Sequence, residues 1–176
     1  MEFRRLYKPG GWYFFTVVTH ARKPILTRPE NITRLRQVFR HIKAKRPFVI
    51  EAIVVLPDHL HTVWRLPEGD ADFSTRWRMI KRDFSIAMPD KTGSHPRQVR
   101  GEKNVWQRRF WEHAIRNETD WHRHIDYIHY NPVKHGYVTS PSAWPYSSFN
   151  RALHRGWYSQ DWGHQAPEMI RNMSLE

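Results

Sequence analysis

Residues 48–66 read FVIEAIVVLPDHLHTVWRL, and their pattern is the strongest indication of fold in the chain. Its first part, residues 48–56, is almost continuously apolar, which is typical of a central strand buried on both faces. Pro57 and Asp58 then favour a turn. Residues 59–66 return as a second strand, so the stretch predicts two strands of an antiparallel sheet.

The segments on either side of this hairpin alternate between strand and helix patterns. Strands are indicated by aromatic and β-branched residues, and helices by apolar residues at helical spacing. In chain order the pattern predicts a strand at 12–19, a helix at 31–45, the two strands above, a helix at 72–88, a mobile loop at 89–104, a strand at 105–115 and a helix at 118–130 stopped by Pro132. The sequence therefore predicts an α+β fold with a ferredoxin-like β-α-β-β-α-β core, one added C-terminal helix and an irregular tail.

Composition limits the classes of function. The chain has 176 residues, enough for one domain with a core, and its 29 Lys and Arg against 17 Asp and Glu give a net charge of +12. A chain with this positive charge usually binds nucleic acid. It has no cysteine, so a metal site must use histidine and oxygen ligands. No stretch approaches the ~18 apolar residues of a membrane span, so we expect a soluble, cytoplasmic protein.

His59 and His61 are candidate metal ligands. Side chains alternate across a strand, so both imidazoles point to one face and Leu60 to the other. Two imidazoles on one face can hold one divalent metal, and such a pair also suits zinc hydrolysis. A histidine-triad hydrolase would need a third histidine at position 63, which is Val63.

The helix predicted at 118–130 carries a candidate nucleophile. Its core stripe is formed by Trp121, Ile125 and Ile128, and Tyr127 falls about 100° from that stripe. Tyr127 shares a flank with Asn131, whose side-chain oxygen can reach the same metal, although Pro132 biases Asn131 away from helical geometry. We therefore expect Tyr127 to take part in a reaction rather than to pack in the core. Tyr130 is the rival nucleophile, and it projects about 60° away from Tyr127.

Several ordered motifs together resemble one family, the REP-associated tyrosine transposases, which are single-tyrosine HUH nucleases. The motifs are FFTV at 14–17, VVLPDHLH at 54–61, FSTRW at 73–77, WQRRFWEH at 106–113 and DYIHYNPVKHG at 126–136. The resemblance extends to about Phe149. It implies an HUH nuclease domain over residues 1–149 and a C-terminal tail at 150–176 that packs on it. Within that tail we favour Trp157, Tyr158 and Trp162 as a cap on the core over a cover for the active-site face.

The resemblance also implies a site and a reaction. The family's metal-binding histidines correspond to His59 and His61, its nucleophile to Tyr127, and its third ligand to Asn131, where relatives often carry glutamine. It implies Mg²⁺ or Mn²⁺ as the cofactor. It implies cleavage and rejoining of single-stranded DNA through a 5′-phosphotyrosine intermediate, on hairpins of repetitive extragenic palindromes flanked by a tetranucleotide.

Basic residues near aromatic ones are candidates for DNA contacts, because such pairs suit single strands and hairpin junctions. The candidates are Arg4, Arg5, Lys8, Arg76, Arg78, Lys81, Arg108 and Arg109. Two other functions stay open: a protein that binds hairpin DNA without cutting it, and a zinc hydrolase that uses His59 and His61. A monomer is favoured over a homodimer because of the long tail, and the resemblance implies a bacterial, nucleoid-associated protein.

Overall fold

The structure, a computed structural model, describes residues 9–88 and 105–175. The loop predicted at 89–104 and the candidates Arg4, Arg5 and Lys8 lie outside the described residues. The strands are β1 (Trp12–Val18), β2 (Val49–Val55), β3 (His59–Arg65) and β4 (Trp111–Ala114), and the helices are α1 (Pro29–Lys45), α2 (Phe73–Ile86), α3 (Glu118–Lys134) and α4 (Phe149–His154).

The four strands form one antiparallel sheet in the order β2-β3-β1-β4. This is the order that a β-α-β-β-α-β chain gives when its two helices cross on one side, so the predicted ferredoxin-like core is confirmed. In the register of β1 with β3, Val18 lies opposite His59 and Thr16 opposite His61. Thr16 is therefore the direct cross-strand neighbour of one candidate metal ligand.

Each face of the sheet has its own apolar cluster. Tyr13, Phe15 and Val17 of β1 pack with α1 and α2 on one face. Phe14, the residue between the first two, packs with Ile125 of α3 on the other. This alternation follows from the period of two along a strand, and it puts α3 on the same face as His59 and His61. Among the described residues, no helix is long and apolar enough to cross a membrane.

The prediction that residues 48–56 form a central strand was wrong, because β2 lies at the edge of the sheet. Residues after α3 cover that edge: the Val55 N–H donates to the Tyr146 carbonyl and the Ser148 N–H to the Ile53 carbonyl, both at 2.8 Å. Apolar clusters pack against both faces of the strand. Because both faces and the outer edge of β2 are covered, this edge strand is as apolar as a central strand.

The strand predicted at 105–115 is much shorter. Only Trp111–Ala114 pairs with β1, and Trp106 makes a single bridge to Thr19. Between these two points Arg108 and Arg109 are exposed, so the chain leaves the sheet and returns to it. The apolar residues on both sides of this detour made the segment resemble one continuous strand.

The helix predicted to stop at Pro132 continues to Lys134. A proline inside a helix removes one backbone hydrogen bond. Here two further backbone hydrogen bonds stabilise the C-terminal end of the helix. The Gly136 N–H donates to the Val133 carbonyl at 2.9 Å and the Tyr137 N–H to the Pro132 carbonyl at 3.0 Å. This pair of bonds is a Schellman motif, and it requires the positive φ of 72° at Gly136. The extra turn brings Lys134 into the site described below.

The tail is anchored to α3 through its aromatic residues. The Tyr158 hydroxyl donates to Asp126 at 2.8 Å and pairs with the Nδ1 of His129 at 2.9 Å, while Trp162 stacks on Phe149. Through these contacts Tyr158 and Trp162 cap the core. Because α4 begins at Phe149, it crosses the boundary expected there, and the division into residues 1–149 and 150–176 stays a prediction.

Candidate active site

His59 and His61 are the first and third residues of β3, and both are fully buried beneath α3. Their ring centroids lie 4.9 Å apart with the planes at 79°. The ring of His61 also lies 5.3 Å from that of Tyr127. The structure therefore brings together the two halves of the predicted site, the histidine strand and the tyrosine helix.

The Nδ1 atoms of both histidines are held by hydrogen bonds. That of His59 lies 2.6 Å from Asp58, and a carboxylate can only accept, so Nδ1 carries the proton. That of His61 lies 2.9 Å from the Thr16 hydroxyl, which donates its own proton to the Leu175 carbonyl at 2.7 Å. Thr16 therefore accepts from His61. In the neutral rings both Nε2 atoms, which are buried, carry the lone pair that a metal needs.

Asp58 was not among the predicted site residues. Burial pushes its pKa upward, but the hydrogen bond from His59, followed by the hydrogen bond and charge of Arg22, lowers the pKa below its usual value. The carboxylate is thus ionised at neutral pH and orients His59. A carboxylate adjacent in sequence to a metal-binding histidine is the signal that could have identified it.

Asn131 lies one helical turn after Tyr127 and is 0% exposed. Neither its amide oxygen nor its amide nitrogen has a hydrogen-bond partner among the described residues. Leaving such groups unsatisfied costs roughly 1–3 kcal/mol each. Pro132 does not turn the residue away, because α3 stays helical through both positions. A buried side-chain oxygen in this state fits the role of a third metal ligand.

Tyr127 is only 1% exposed, so the expectation that it does not pack was wrong. Its ring packs in the cluster with Phe14 and Ile128. The hydroxyl, however, is surrounded by donors: Lys134 Nζ at 3.0 Å and the Leu175 N–H at 3.3 Å. Donors at this oxygen stabilise negative charge on it, which is the state in which a phenol attacks.

Lys134 was also missed by sequence reasoning. Its Nζ atom lies 4.8 Å from the centroid of the Tyr127 ring as well as within hydrogen-bond distance of its hydroxyl. Seven residues are nearly two full turns of helix, so the two side chains share one face. The expected stop at Pro132 hid this relationship. Tyr130, the rival nucleophile, lies instead beside Trp162 of the tail, with ring centroids 6.4 Å apart.

The end of the tail reaches the site. Leu175 accepts from Thr16 and donates to Tyr127, so its backbone bridges the histidine strand and the tyrosine. Trp157, Tyr158 and Trp162 were the tail residues considered for the active-site face, and a cap on the core was favoured for them. Leu175, which no motif marked, is the residue that covers the tyrosine.

A second group of possible ligands is formed by His113, Asp120 and His124, whose ligand atoms lie within 4.8 Å of one another. Asp120 accepts from His113 at 2.8 Å and from the Arg116 side chain at 3.1 Å. Burial would raise the pKa of Asp120, but these bonds lower it strongly. A guanidinium already neutralises this carboxylate, so the group serves to join β4 to α3. The pair His59 and His61 fits a metal better.

The predicted DNA contacts fall into two groups. Arg76 is 1% exposed, and its guanidinium pairs with Asp70 at 2.6 Å and donates to backbone carbonyls, including that of Pro47 at 2.8 Å. A contact with phosphate would break these bonds, so Arg76 stabilises the fold and we remove it from the candidate set. Arg78, Arg108 and Arg109 are exposed, whereas Lys81 is partly buried and donates to the Gln107 carbonyl at 2.7 Å.

Comparisons with known proteins identify the family of this chain. The family described as Transposase IS200 like matches residues 9–131. A REP-associated tyrosine transposase of Escherichia coli (strain K12) is 49% identical over 165 residues, which cover 92% of this chain and 90% of the relative. A putative REP-associated tyrosine transposase of Haemophilus influenzae is 43% identical over 165 residues, with 92% and 93% covered.

A solved structure is similar along almost the whole chain. It is described as a REP-associated tyrosine transposase bound to a REP hairpin, and it superposes with a TM-score of 0.80 at 45% identity, covering 99% of each chain. With the family match and the two relatives, this shows that the chain belongs to the REP-associated tyrosine transposases, within the IS200-like transposase family.

Proposed function

We propose that this transposase cuts and rejoins single-stranded DNA at REP-type hairpins, with Tyr127 as the nucleophile. The observation that carries the proposal is the placement of the Tyr127 ring 5.3 Å from that of His61, with the Lys134 ammonium group 3.0 Å from the Tyr127 hydroxyl. The net charge of +12 and the hairpin bound by the similar solved structure support DNA as the partner.

Mg²⁺ or Mn²⁺ would be held by the Nε2 atoms of His59 and His61 and by the side-chain oxygen of Asn131. The residues fit such an ion, because two imidazoles are fixed with their lone pairs on Nε2 and a buried amide has no hydrogen-bond partner among the described residues. When bound, a divalent cation would polarise the phosphate as a Lewis acid. Two nitrogen ligands favour Mn²⁺ over the harder Mg²⁺.

The chain's own residues supply the nucleophile and stabilise its developing charge. The Tyr127 oxygen forms a bond to phosphorus while the bond from phosphorus to the 3′ oxygen breaks. The phenol proton leaves through water and the departing 3′ oxygen gains one, so a 5′-phosphotyrosine and a free 3′-OH result. Lys134 donates to the Tyr127 oxygen throughout, which stabilises the phenolate in attack and again when it leaves during rejoining.

The proposal requires the site to open. Tyr127 is almost completely buried, and the Leu175 backbone lies against its hydroxyl. A phosphodiester therefore reaches the tyrosine only after the last residues of the tail move aside. A segment held to the site by the two backbone hydrogen bonds of Leu175 would gate access in this way.

A covalent-adduct assay tests the proposal. Labelled hairpin DNA with unpaired flanks is incubated with Mn²⁺ or Mg²⁺, and the protein is then denatured. We expect a protein–DNA adduct that is lost in Tyr127→Phe and kept in Tyr130→Phe, the matched control on the same helix. Binding without an adduct at any metal concentration would refute the proposal in favour of a hairpin-binding protein. Activity that persists in Tyr127→Phe and requires zinc would favour a zinc hydrolase.

A further inference from the structure

Three aromatic rings continue outward from the candidate metal ligands; we name His135, Tyr137 and Trp144 the aromatic row. The ring of His135 lies 5.2 Å from that of His59. Tyr137 follows at 5.9 Å from His135 and Trp144 at 5.4 Å from Tyr137, with interplanar angles of 24° and 27°. The row therefore leads from the histidine pair to the protein surface as a set of nearly parallel rings.

Hydrogen bonds to backbone carbonyls hold both ends of the row in place. Tyr137 is the residue whose N–H closes the Schellman motif on the Pro132 carbonyl, and the positive φ of Gly136 sets the turn before it. At the far end the indole N–H of Trp144 donates to the Val55 carbonyl of β2 at 3.0 Å. Both ends of the row are thus fixed to the elements that carry the candidate site. An aromatic group that is ordered before binding loses little entropy when a ligand packs on it.

Tyr137 is 44% exposed, among the largest exposed fractions of any large apolar side chain in the part of the chain that the structure describes. The exposed Lys134 lies on the same turn, and its ammonium group points to the Tyr127 hydroxyl. Aromatic rings next to positive charge bind single-stranded nucleic acid, because every base has a face that can stack and every phosphate a charge to neutralise.

We infer that the aromatic row is the binding site for an unpaired nucleotide next to the phosphate that Tyr127 attacks, with Tyr137 as its main contact. The inference rests on the proposed function, since it places the scissile phosphate at Tyr127. Continuity argues for DNA over a protein partner, because the first ring of the row touches His59 itself. A base packed on the row would hold the backbone of the strand over the site.

A binding assay in the Tyr127→Phe background tests the inference without any cleavage. The probes are a REP hairpin with unpaired flanks, the same hairpin without flanks, and a series with one flanking nucleotide at a time made abasic. Tyr137→Ala is compared with Tyr137→Phe, which keeps the ring, and with Trp12→Ala. Trp12 is a matched control, because it is 41% exposed and lies at the opposite end of β1 from the site.

We expect Tyr137→Ala to weaken binding of the flanked hairpin about tenfold, the usual effect of one lost base stack. Tyr137→Phe and Trp12→Ala should bind as the parent does. At one abasic position, parent and Tyr137→Ala should bind equally, which identifies the stacked nucleotide. Equal affinity of parent and Tyr137→Ala for all probes, or the same loss on the hairpin without flanks, would overturn the inference.

The two proposals fail in different ways. If the unmodified protein forms the covalent adduct but Tyr137→Ala changes no affinity, only the aromatic row is wrong. If no adduct forms yet the flanks bind through Tyr137, the cleavage proposal is wrong, and the row remains a binding site.

Discussion

The Nζ atom of Lys134 lies 3.0 Å from the hydroxyl oxygen of Tyr127, seven residues earlier on the same helix. Helix α3 passes through Pro132 between them, and only its last turn brings the ammonium group to the phenol. The nucleophile and the charge beside it are therefore fixed by one element.

This contact predicts that Lys134→Ala slows single-turnover DNA cleavage by about 10²-fold, the usual effect of removing one donor from a developing negative oxygen. Lys134→Arg should recover part of the rate, because it keeps the positive charge. Lys43→Ala, at the exposed end of α1, is the control and should cleave normally. An unchanged rate in Lys134→Ala would show that the contact has no role in the reaction.

The bond between Asp58 and His59 predicts an effect on metal affinity. Asp58→Asn keeps the shape but removes the charge that orients His59, so Mn²⁺ should bind roughly 10- to 100-fold more weakly. Calorimetric titration of the metal measures this directly. Glu51→Gln removes a carboxylate that pairs with Arg65 at the far end of β3, and it should leave metal affinity unchanged. A loss of equal size in both variants would indicate a general effect of charge instead.

The contacts of Leu175 predict that the tail restrains the enzyme. Deleting residues 174–176 removes two hydrogen bonds, one to Thr16 and one to Tyr127, each of which contributes about 0.5–1.5 kcal/mol. We expect adduct formation to become roughly tenfold faster, and Ser174→Ala, which alters only an exposed side chain, to be neutral. A slower reaction in the truncated protein would mean that the tail supports the site rather than covering it.

The buried His129 predicts how stability depends on pH. Burial, followed by the charge of Arg151, lowers its pKa to about 3, against 6.5 for an ordinary histidine. Between these values the unfolded chain binds a proton that the folded chain does not. Stability should therefore fall on acidification through this window, with a slope from this group of up to about 1.4 kcal/mol per pH unit.

Urea unfolding between pH 5 and 7 measures that slope. It should be smaller in His129→Gln than in the parent, whereas His154→Gln, an exposed control, should keep it. Loss of the buried hydrogen bonds will also lower the overall stability of His129→Gln, so the comparison concerns the slope alone. Identical slopes in all three proteins would contradict the assignment of a neutral buried imidazole.

Local patterns were sufficient for the order of elements and for the two halves of the site. Strand alternation predicted that His59 and His61 share a face, and helix phase predicted that Tyr127 and Asn131 share a flank. The burial of Tyr127 was not predictable in this way, because its ring packs against Phe14 of β1 and its hydroxyl accepts from Leu175, which is 48 residues further along the chain. The repeat of a strand or a helix relates residues only a few positions apart, so it cannot predict such a contact.

Two errors share another cause. A proline was given its average effect on a helix, although the Schellman motif at Gly136 and Tyr137 stabilises the turn beyond Pro132. Arg76 was assigned to DNA because it is a basic residue beside aromatic ones in a motif segment, although Asp70 and backbone carbonyls satisfy it inside the fold. In both cases specific hydrogen bonds of this fold reversed an ordinary propensity.

The covered edge of β2 has a consequence for assembly. An exposed strand edge is a template onto which another polypeptide can add a strand, and segment 146–148 already occupies this one through Val55 and Ile53. A second copy could extend the sheet there only by first peeling away the connection between α3 and α4. The edge where a neighbouring molecule could add a strand is filled by the chain itself, so growth of the sheet from one copy into the next is blocked at β2.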